Sequence, residues 1–276
     1  MELTIQDVIN AKQLDNIQLT KEWNKVKKFK LRPECSMSFA GNNIIYHYQM
    51  ENLIKCRRHK KLSLVEIFDN DNEKEKLVEQ TIKRNRTGTK EIRMFECWRI
   101  NSGSITFFKA YQAIQLYKQF NATKVLDPTA GWGGRALGAV NCGIQYTGID
   151  TNIEMKPAYD NMFNGHSNIN MIWDSCLEVD FSKLDYDFVL TSPPYVNIEE
   201  YEHMELWKND DDFFNDFLIV LINRCRKYNK GKTAFNISPQ MYNKLTKKYK
   251  YELCEMDIPL KEQKNGKVSD CIYIWT

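Results

Sequence analysis

The chain has 276 residues, of which 42% are hydrophobic, enough to bury one large domain or a catalytic domain with a smaller companion. No apolar run reaches the ~18 residues of a membrane-spanning helix, Met1 to Thr4 lack the basic-then-apolar layout of a leader, and eight cysteines and four histidines are scattered without C-x-x-C or metal-ligand spacing. These features exclude a disulfide framework, a zinc module and a helical membrane anchor. They predict reduced thiols in a cytoplasmic, metal-free protein.

The net charge of +3 is unevenly spread: residues 1–100 hold 20 Lys+Arg against 14 Asp+Glu, and residues 101–276 hold 19 against 22. The excess sits in clusters at 25–32, 55–61 and 83–86, with Trp23 and Phe29 interleaved. Lys27, Lys28, Arg57, Arg58, Lys60, Lys61, Arg84 and Arg86 are the candidate contacts to a polyanion such as nucleic acid.

In chain order, residues 5–14 and 72–84 have helical spacing, 40–50 (AGNNIIYHYQM) reads as strand, and Gly41-Asn42-Asn43 and Thr87-Gly88-Thr89 read as turns. From about residue 105 the pattern becomes regular. A helix at 106–120 leads to strand 124–127, helix 133–140, strand 144–149, helix 153–163, strand 169–173 and the strand in DFVLT at 187–191. A long amphipathic helix at 211–228, strand 232–237, helix 239–249 and strands 250–257 and 270–275 complete the chain. Alternating β and α elements predict an α/β, doubly wound, mainly parallel sheet of seven strands over 101–276, with 1–100 as a basic accessory region for target recognition.

Two stretches carry chemistry. In VLDPTAGWGGRALGAV, residues 125–140, a strand runs into a glycine-rich turn and out into a helix. Gly131-x-Gly133-x-x-Ala136 fits the dinucleotide fingerprint, and Asp150, 17 residues beyond Gly133, can accept from ribose hydroxyls. This pair points to an adenosine-containing cofactor without choosing one, and a nicotinamide dehydrogenase fits it as well. The second stretch, DFVLTSPPYVNIEEY at 187–201, stops a buried strand with two prolines that cannot donate to a sheet. In open α/β sheets the carboxyl edge of the strands is where ligands bind.

The two motifs, in this order, resemble those of amino-methyltransferases that use S-adenosylmethionine. TSPPY resembles the family's [Asp/Asn/Ser]-Pro-Pro-[Tyr/Phe] signature, and DPTAGWGG its Asp-Pro-Phe-x-Gly-x-Gly motif, with Thr129 in the place of Phe. The Gly-Trp-Gly-Gly-Arg loop is similar to that of phage and large-virus DNA methylases, and the likeness covers about residues 105–240. It implies a class I, Rossmann-like methyltransferase domain acting on an exocyclic amine of a flipped-out base, in the manner of restriction-modification enzymes.

Its catalytic group would be Ser192, Pro193, Pro194 and Tyr195, with the Ser192 hydroxyl and the Pro193 carbonyl accepting from the amine and Tyr195 stacking on the base. Asp127, Pro128, Thr129, Gly131, Gly133, Asp150 and Asp174 would hold the cofactor, with Phe107, Phe108 and Lys109 closing over its methionine end. Ser in this slot leans toward cytosine N4, ahead of adenine N6. RNA is an alternative substrate, a glutamine side chain another, and a non-catalytic nucleic-acid-binding relative a third reading. Only 56 residues separate Gly134 from Thr191, too few for a recognition insert. Recognition therefore falls to residues 1–100, assisted by loops 196–209 and 261–269.

Overall fold

The computed structural model describes residues 3–31, 38–58, 60–102, 106–194, 199–200, 207–262 and 268–276. Among the described residues the first hundred positions form helices α1 (Ile5–Asn10), α2 (Asn16–Lys27), α3 (Asn42–Leu53), α4 (Leu64–Phe68), α5 (Asp71–Arg84) and α6 (Lys90–Asn101), with a two-residue strand β1 (Arg57–Arg58) between α3 and α4. Their starts are encoded locally. Thr4, Asp15 and Ser63 each form a reciprocal capping box, and the Asn70 and Thr89 side chains accept from the first turns of α5 and α6.

The strand expected at 40–50 is helix α3 instead. Its isoleucines and tyrosines favour β structure locally, but Ile45, Gln49 and Leu53 recur at helical spacing and are all buried. A glutamine in the buried stripe hides that period from an apolar-pattern reading. Gly41, at φ +93°, starts the helix where any Cβ would press on Leu137.

From residue 110 the elements follow the expected order: α7 (Ala110–Gln119), β2 (Lys124–Asp127), α8 (Gly134–Cys142), β3 (Gln145–Asp150), α9 (Lys156–Met162), β4 (Ile169–Trp173) and β5 (Phe188–Thr191). Next come the two-residue strand β6 (Glu199–Glu200), the short helix α10 (Asp210–Asp212) that widens into a π-helical stretch at Phe213–Leu218, α11 (Ile219–Tyr228), β7 (Lys232–Ile237), α12 (Pro239–Asn243), β8 (Met256–Glu262) and β9 (Val268–Trp275). The strand expected at 250–257 is displaced to Met256–Glu262. Lys250 takes φ +56° and the Tyr251 amide turns back to the Leu245 carbonyl, so the chain is still leaving the preceding helix there. Pro259 is tolerated because β8 is an edge strand.

The seven-stranded sheet has the order β4-β3-β2-β5-β7-β9-β8, with β9 antiparallel to both neighbours and the other pairings parallel. Order and strand directions are those of the class I methyltransferase fold. The order reverses between β2 and β5, which places the glycine loop after β2 beside the Ser-Pro-Pro segment after β5. Among the described residues no helix is long and apolar enough to cross a membrane.

The N-terminal helices are laid onto one face of this sheet. Val8, Val26, Ile44, Leu53 and Leu77 belong to the same core as Ala136, Leu137, Tyr146 and Tyr159, whereas the other face has its own core around Phe214, Leu221 and Phe235. The change of sequence character near residue 100 is thus not a break in packing. The Asn141 side chain on α8 donates to the Val26 carbonyl at 2.7 Å and the Phe29 carbonyl at 3.1 Å, closing the end of α2. Trp23 stacks on His166 with ring centroids 5.0 Å apart. Asn141→Ala should therefore lower stability by about 1–3 kcal/mol in urea titrations. Because the core is shared, unfolding followed by tryptophan fluorescence and by far-UV circular dichroism should coincide in wild type and variant.

Candidate active site

Asp127 ends β2 and is the centre of the site. Its side chain is 0% exposed, and Arg135, on the first turn of α8, is 5% exposed. Arg135 Nε donates to Asp127 Oδ2 at 2.6 Å, and the Tyr146 hydroxyl on β3 donates to the same oxygen at 2.6 Å. Thr191, the last residue of β5, donates from its hydroxyl to Asp127 Oδ1 at 2.9 Å. The guanidinium also donates to the carbonyls of Thr129 and Ala130. Burial opposes the charge on Arg135, but the Asp127 carboxylate outweighs it and holds the guanidinium protonated beyond its ordinary range. Burial, with Asp127 adding to it, raises the Tyr146 hydroxyl well above the usual phenol value, so it stays a donor.

This corrects the role expected of Asp127. It stands at the strand end as expected, but its oxygens are enclosed and occupied by protein donors, so it anchors the loop and is not placed to meet a methionine amino group. Thr129 is likewise committed: its hydroxyl lies 2.6 Å from that of Thr191, tying the glycine loop to the residue before Ser192. Pro128 lies between these two anchors.

The loop itself is shaped by its glycines. Gly131 has φ +58° and Gly133 φ +93°. Among the described residues a Cβ on Gly131 would meet nothing nearer than the Thr129 carbonyl at 3.9 Å, which leaves its outer face open, while one on Gly133 would strike Met162. The Tyr159 hydroxyl donates to the Gly131 carbonyl at 2.5 Å. At Gly134 a Cβ would overlap the Phe108 carbonyl, so the chain before α7 crosses directly over the start of α8. Phe108 covers the Arg135 guanidinium with 5.2 Å to the ring centroid. Phe107 packs edge-on against Tyr46, and the Lys109 ammonium lies over the exposed Phe39 ring. The segment 107–109 thus roofs the start of α8.

Asp150 ends β3 half-buried. Gly131 N donates to its Oδ2 at 2.8 Å and Asn152 N to its Oδ1 at 3.0 Å. Burial pushes its carboxyl up to about 6; the two amide donors oppose this, and Asp127 adds to it. Beside it Asn152 is 6% exposed, and its Oδ1 is buried without a donor among the described residues. Spare lone pairs on Asp150 and an orphaned acceptor on Asn152, next to an open glycine face, fit a ligand that presents neighbouring hydroxyl donors, as a ribose does. Asp174, after β4, is exposed and one oxygen accepts from Ser175 N at 2.7 Å.

In the Ser-Pro-Pro segment, Ser192 and Pro194 are half-buried and Pro193 is buried. The Ser192 hydroxyl oxygen accepts from Asn236 Nδ2 at 3.2 Å. Tyr195 lies outside the described residues. Of the expected cationic residues, Arg57 and Arg58 form β1 and pair antiparallel with Glu200 and Glu199 of β6. That ladder brings the 55–61 cluster to the chain just downstream of Ser-Pro-Pro. Arg58, Lys60 and Lys61 are exposed, while Arg57 is ion-paired to Glu66 at 3.0 Å. Lys27 lies over Trp23, Lys28 and Arg86 are exposed, and Arg84 donates to Asn101 Oδ1 at 2.6 Å. The structure therefore pairs one of the three basic clusters with the chain a few residues downstream of Ser-Pro-Pro. Sequence reasoning missed Arg135, Tyr146, Asn152, Thr191 and Asn236; the signal for Arg135 was its position as the one charged residue in GRALGAVNC.

No family model matches the chain. A stretch of 99 residues is 33% identical to the release factor glutamine methyltransferase of Fusobacterium nucleatum, covering 33% of this chain and 27% of that relative, so the match spans about a quarter of its length. Similar solved structures include an rRNA methylase from Streptococcus thermophilus (12% identity, TM-score 0.43, covering 62% of this chain and 97% of that one). A SAM-dependent methyltransferase from Agrobacterium tumefaciens has 16% identity, a TM-score of 0.42 and 60% coverage of both chains. TrmN from Thermus thermophilus has 15% identity and a TM-score of 0.42, covering 60% of this chain and 47% of that one.

The raised carboxyl of Asp150 has a stability consequence. The fold favours its protonated form, so its contribution is present below the carboxyl's ordinary range and is lost as pH rises through about 6. A shift of roughly 2 units corresponds to at most about 3 kcal/mol. Asp150→Asn should therefore gain stability over wild type on going from pH 4 to pH 8, read as the difference between paired urea titrations. An unchanged difference would sink the assignment.

Proposed function

We propose that this protein is an S-adenosylmethionine-dependent methyltransferase that modifies an exocyclic amine of a nucleic-acid base, with DNA as substrate and cytosine N4 ahead of adenine N6. The observation that carries the reading is the junction at Asp127. One buried carboxylate binds the helix after the glycine loop through Arg135 and the start of Ser-Pro-Pro through Thr191, and the two segments meet at Thr129 and Thr191. A cofactor loop and an amine-binding segment have to be held at a fixed spacing for transfer, and this junction fixes it.

Asp150 and the open face at Gly131 hold the ribose, Asn152 offers a further acceptor, and Asp174 stands at the strand end suited to the adenine amine. S-adenosylmethionine supplies, when bound, a methyl already activated as a sulfonium. The chain's own work is alignment. Ser192 Oγ and the Pro193 carbonyl accept from the two N–H groups of the target amine, drawing its lone pair out of conjugation with the ring. The prolines fix the backbone, so these acceptors need no reorganisation. After methylation the amine loses its surplus proton to water, and no strong general base is required. Tyr195, following directly, supplies a stacking face for an extruded base.

Exposed Arg58, Lys60 and Lys61 support a nucleic-acid substrate, because the β1–β6 ladder pairs the start of their cluster with Glu199 and Glu200, downstream of the Ser-Pro-Pro segment. A second reading has its own support. The curated relative methylates a glutamine of a release factor, by its name, and an amide nitrogen fits the same pair of acceptors.

Labelled S-adenosylmethionine offered with DNA, RNA and protein pools, followed by mass spectrometry of nucleosides and peptides, separates these readings. Methylcytosine or methyladenine from DNA is the expected product; methylglutamine alone would overturn the nucleic-acid reading. On whichever substrate is active, Ser192→Ala should lower kcat about 10²–10³-fold and leave cofactor affinity unchanged by calorimetry.

Replacing Arg58, Lys60 and Lys61 together by Glu should weaken DNA binding on target and scrambled duplexes alike. It should also flatten the salt dependence of affinity by about one unit of slope per lost phosphate contact, read by fluorescence anisotropy. Wild-type affinity and slope would place the nucleic acid elsewhere.

A further inference from the structure

Asn236 lies one residue beyond the last β5–β7 ladder pair, Thr191 with Phe235, and therefore stands beside Ser192. Its Nδ2 donates to Ser192 Oγ at 3.2 Å. Asn236 is only 8% exposed, and its Oδ1 is buried with no donor among the described residues. A buried amide oxygen without a donor costs stability. Residues that only fill space at this depth are apolar, as Phe235 and Ile237 on either side are. The asparagine is thus held against its own packing cost, and the one hydrogen bond its side chain makes among the described residues is to the serine of the Ser-Pro-Pro segment.

A serine hydroxyl has three staggered positions, and Ser192 is half-buried. Asn236 selects one of them. Its N–H occupies one lone pair of Ser192 Oγ and leaves the other for an incoming donor. The asparagine neither gains nor loses a proton. It contributes by fixing an acceptor before the amine arrives, which is where alignment lowers a barrier.

We infer that Asn236 is a positioning residue that orients the Ser192 hydroxyl oxygen toward the target amine. The inference rests on the amine-methylation reading above and extends it to a strand and a residue that neither motif contains. Thr191 and Asn236 then hold the two ends of the same turn: Thr191 fastens the backbone to Asp127, and Asn236 fastens the side chain of the next residue.

The test uses the full-length chain as wild type, Asn236→Leu, Asn236→Ala, Ser192→Ala and Ser192→Ala/Asn236→Leu. Each is assayed for transfer from labelled S-adenosylmethionine to mixed genomic DNA, total RNA and protein, for melting temperature, and for cofactor affinity by calorimetry. Asn236→Leu, similar in volume and free of the orphaned oxygen, should melt at or above the wild-type temperature and bind the cofactor like wild type. Its kcat should fall about 10–100-fold with KM little changed, as for a misplaced reacting group. The double variant should be no slower than Ser192→Ala alone, because Asn236 acts only through that hydroxyl. A purely structural asparagine gives the opposite pattern: lower melting temperature, and a further loss in the double variant comparable to that in the single one.

Wild-type turnover by Asn236→Leu, or an additive double variant, overturns the inference. If the leucine variant does not fold, the same comparisons with Asn236→Ala decide. Wild type and Ser192→Ala keep the two levels apart. No transfer by wild type to any acceptor overturns the amine-methylation reading and this inference with it. Transfer that needs Ser192 but is indifferent to Asn236 overturns the inference alone.

Discussion

The buried ion pair between Asp127 and Arg135 is the contact on which the geometry of the site depends. Two charges removed from water lose several kcal/mol of solvation each, and their mutual attraction offsets this only when the remaining donors and acceptors are also satisfied. Here most of them are. Asp127 takes donors from Arg135, Tyr146 and Thr191, and Arg135 gives its Nη2 protons to the carbonyls of Thr129 and Ala130. A pair of apolar side chains could fill the same volume at similar stability. It could not specify, as this pair does, the relative placement of β2, β3, β5 and the start of α8.

Several local features follow from that placement. With Arg135 turned inward, α8 must begin at the glycine loop, and Gly134 must lack a Cβ because the Phe108 backbone crosses there. Phe108 then covers the outer face of the guanidinium and keeps water from it. The loop carbonyls that Arg135 binds belong to Thr129 and Ala130, so Gly131 is left to face outward, and its amide is turned to Asp150. A half-buried acid so close to the Asp127 pair feels both burial and a neighbouring carboxylate, and its carboxyl rises accordingly. The protein keeps an acceptor there at a cost that a ligand with hydroxyl donors would offset.

Much of this was legible in the sequence, for identifiable reasons. The sheet followed from alternating apolar runs and helical periods, and its boundaries held where glycine, proline or a capping residue marked them. Reading failed where tertiary context overrode local preference: at α3, whose buried Gln49 interrupts the apolar stripe, and at β8, where Lys250 delays the strand. The positions of the glycine loop and the Ser-Pro-Pro segment were readable because both need residue types that few other structures require. The partners that hold them were not. Tyr146, Thr191 and Asn236 are ordinary strand residues, and nothing short of the register of β2, β3, β5 and β7 reveals that their polar atoms converge. Asp127 shows the limit of position: a strand end alone does not distinguish a carboxylate that meets a ligand from one enclosed by protein donors, as this one is.

The Thr-Ser-Pro-Pro order itself has a physical logic. Successive residues leaving a strand face opposite sides. Thr191 is fully buried and turned to Asp127, while Ser192 is half-buried and turned to Asn236. One hydroxyl is used to hold the turn and the next is presented. The prolines then end pairing on this strand, and further along the chain Glu199 and Glu200 pair with Arg58 and Arg57. The N-terminal helices that complete the hydrophobic core on one face thereby also deliver a cationic turn to the chain leaving the site. The same hundred residues thus complete one core and pair with the chain downstream of Ser-Pro-Pro, which is why the change of sequence character near residue 100 marks no break in packing.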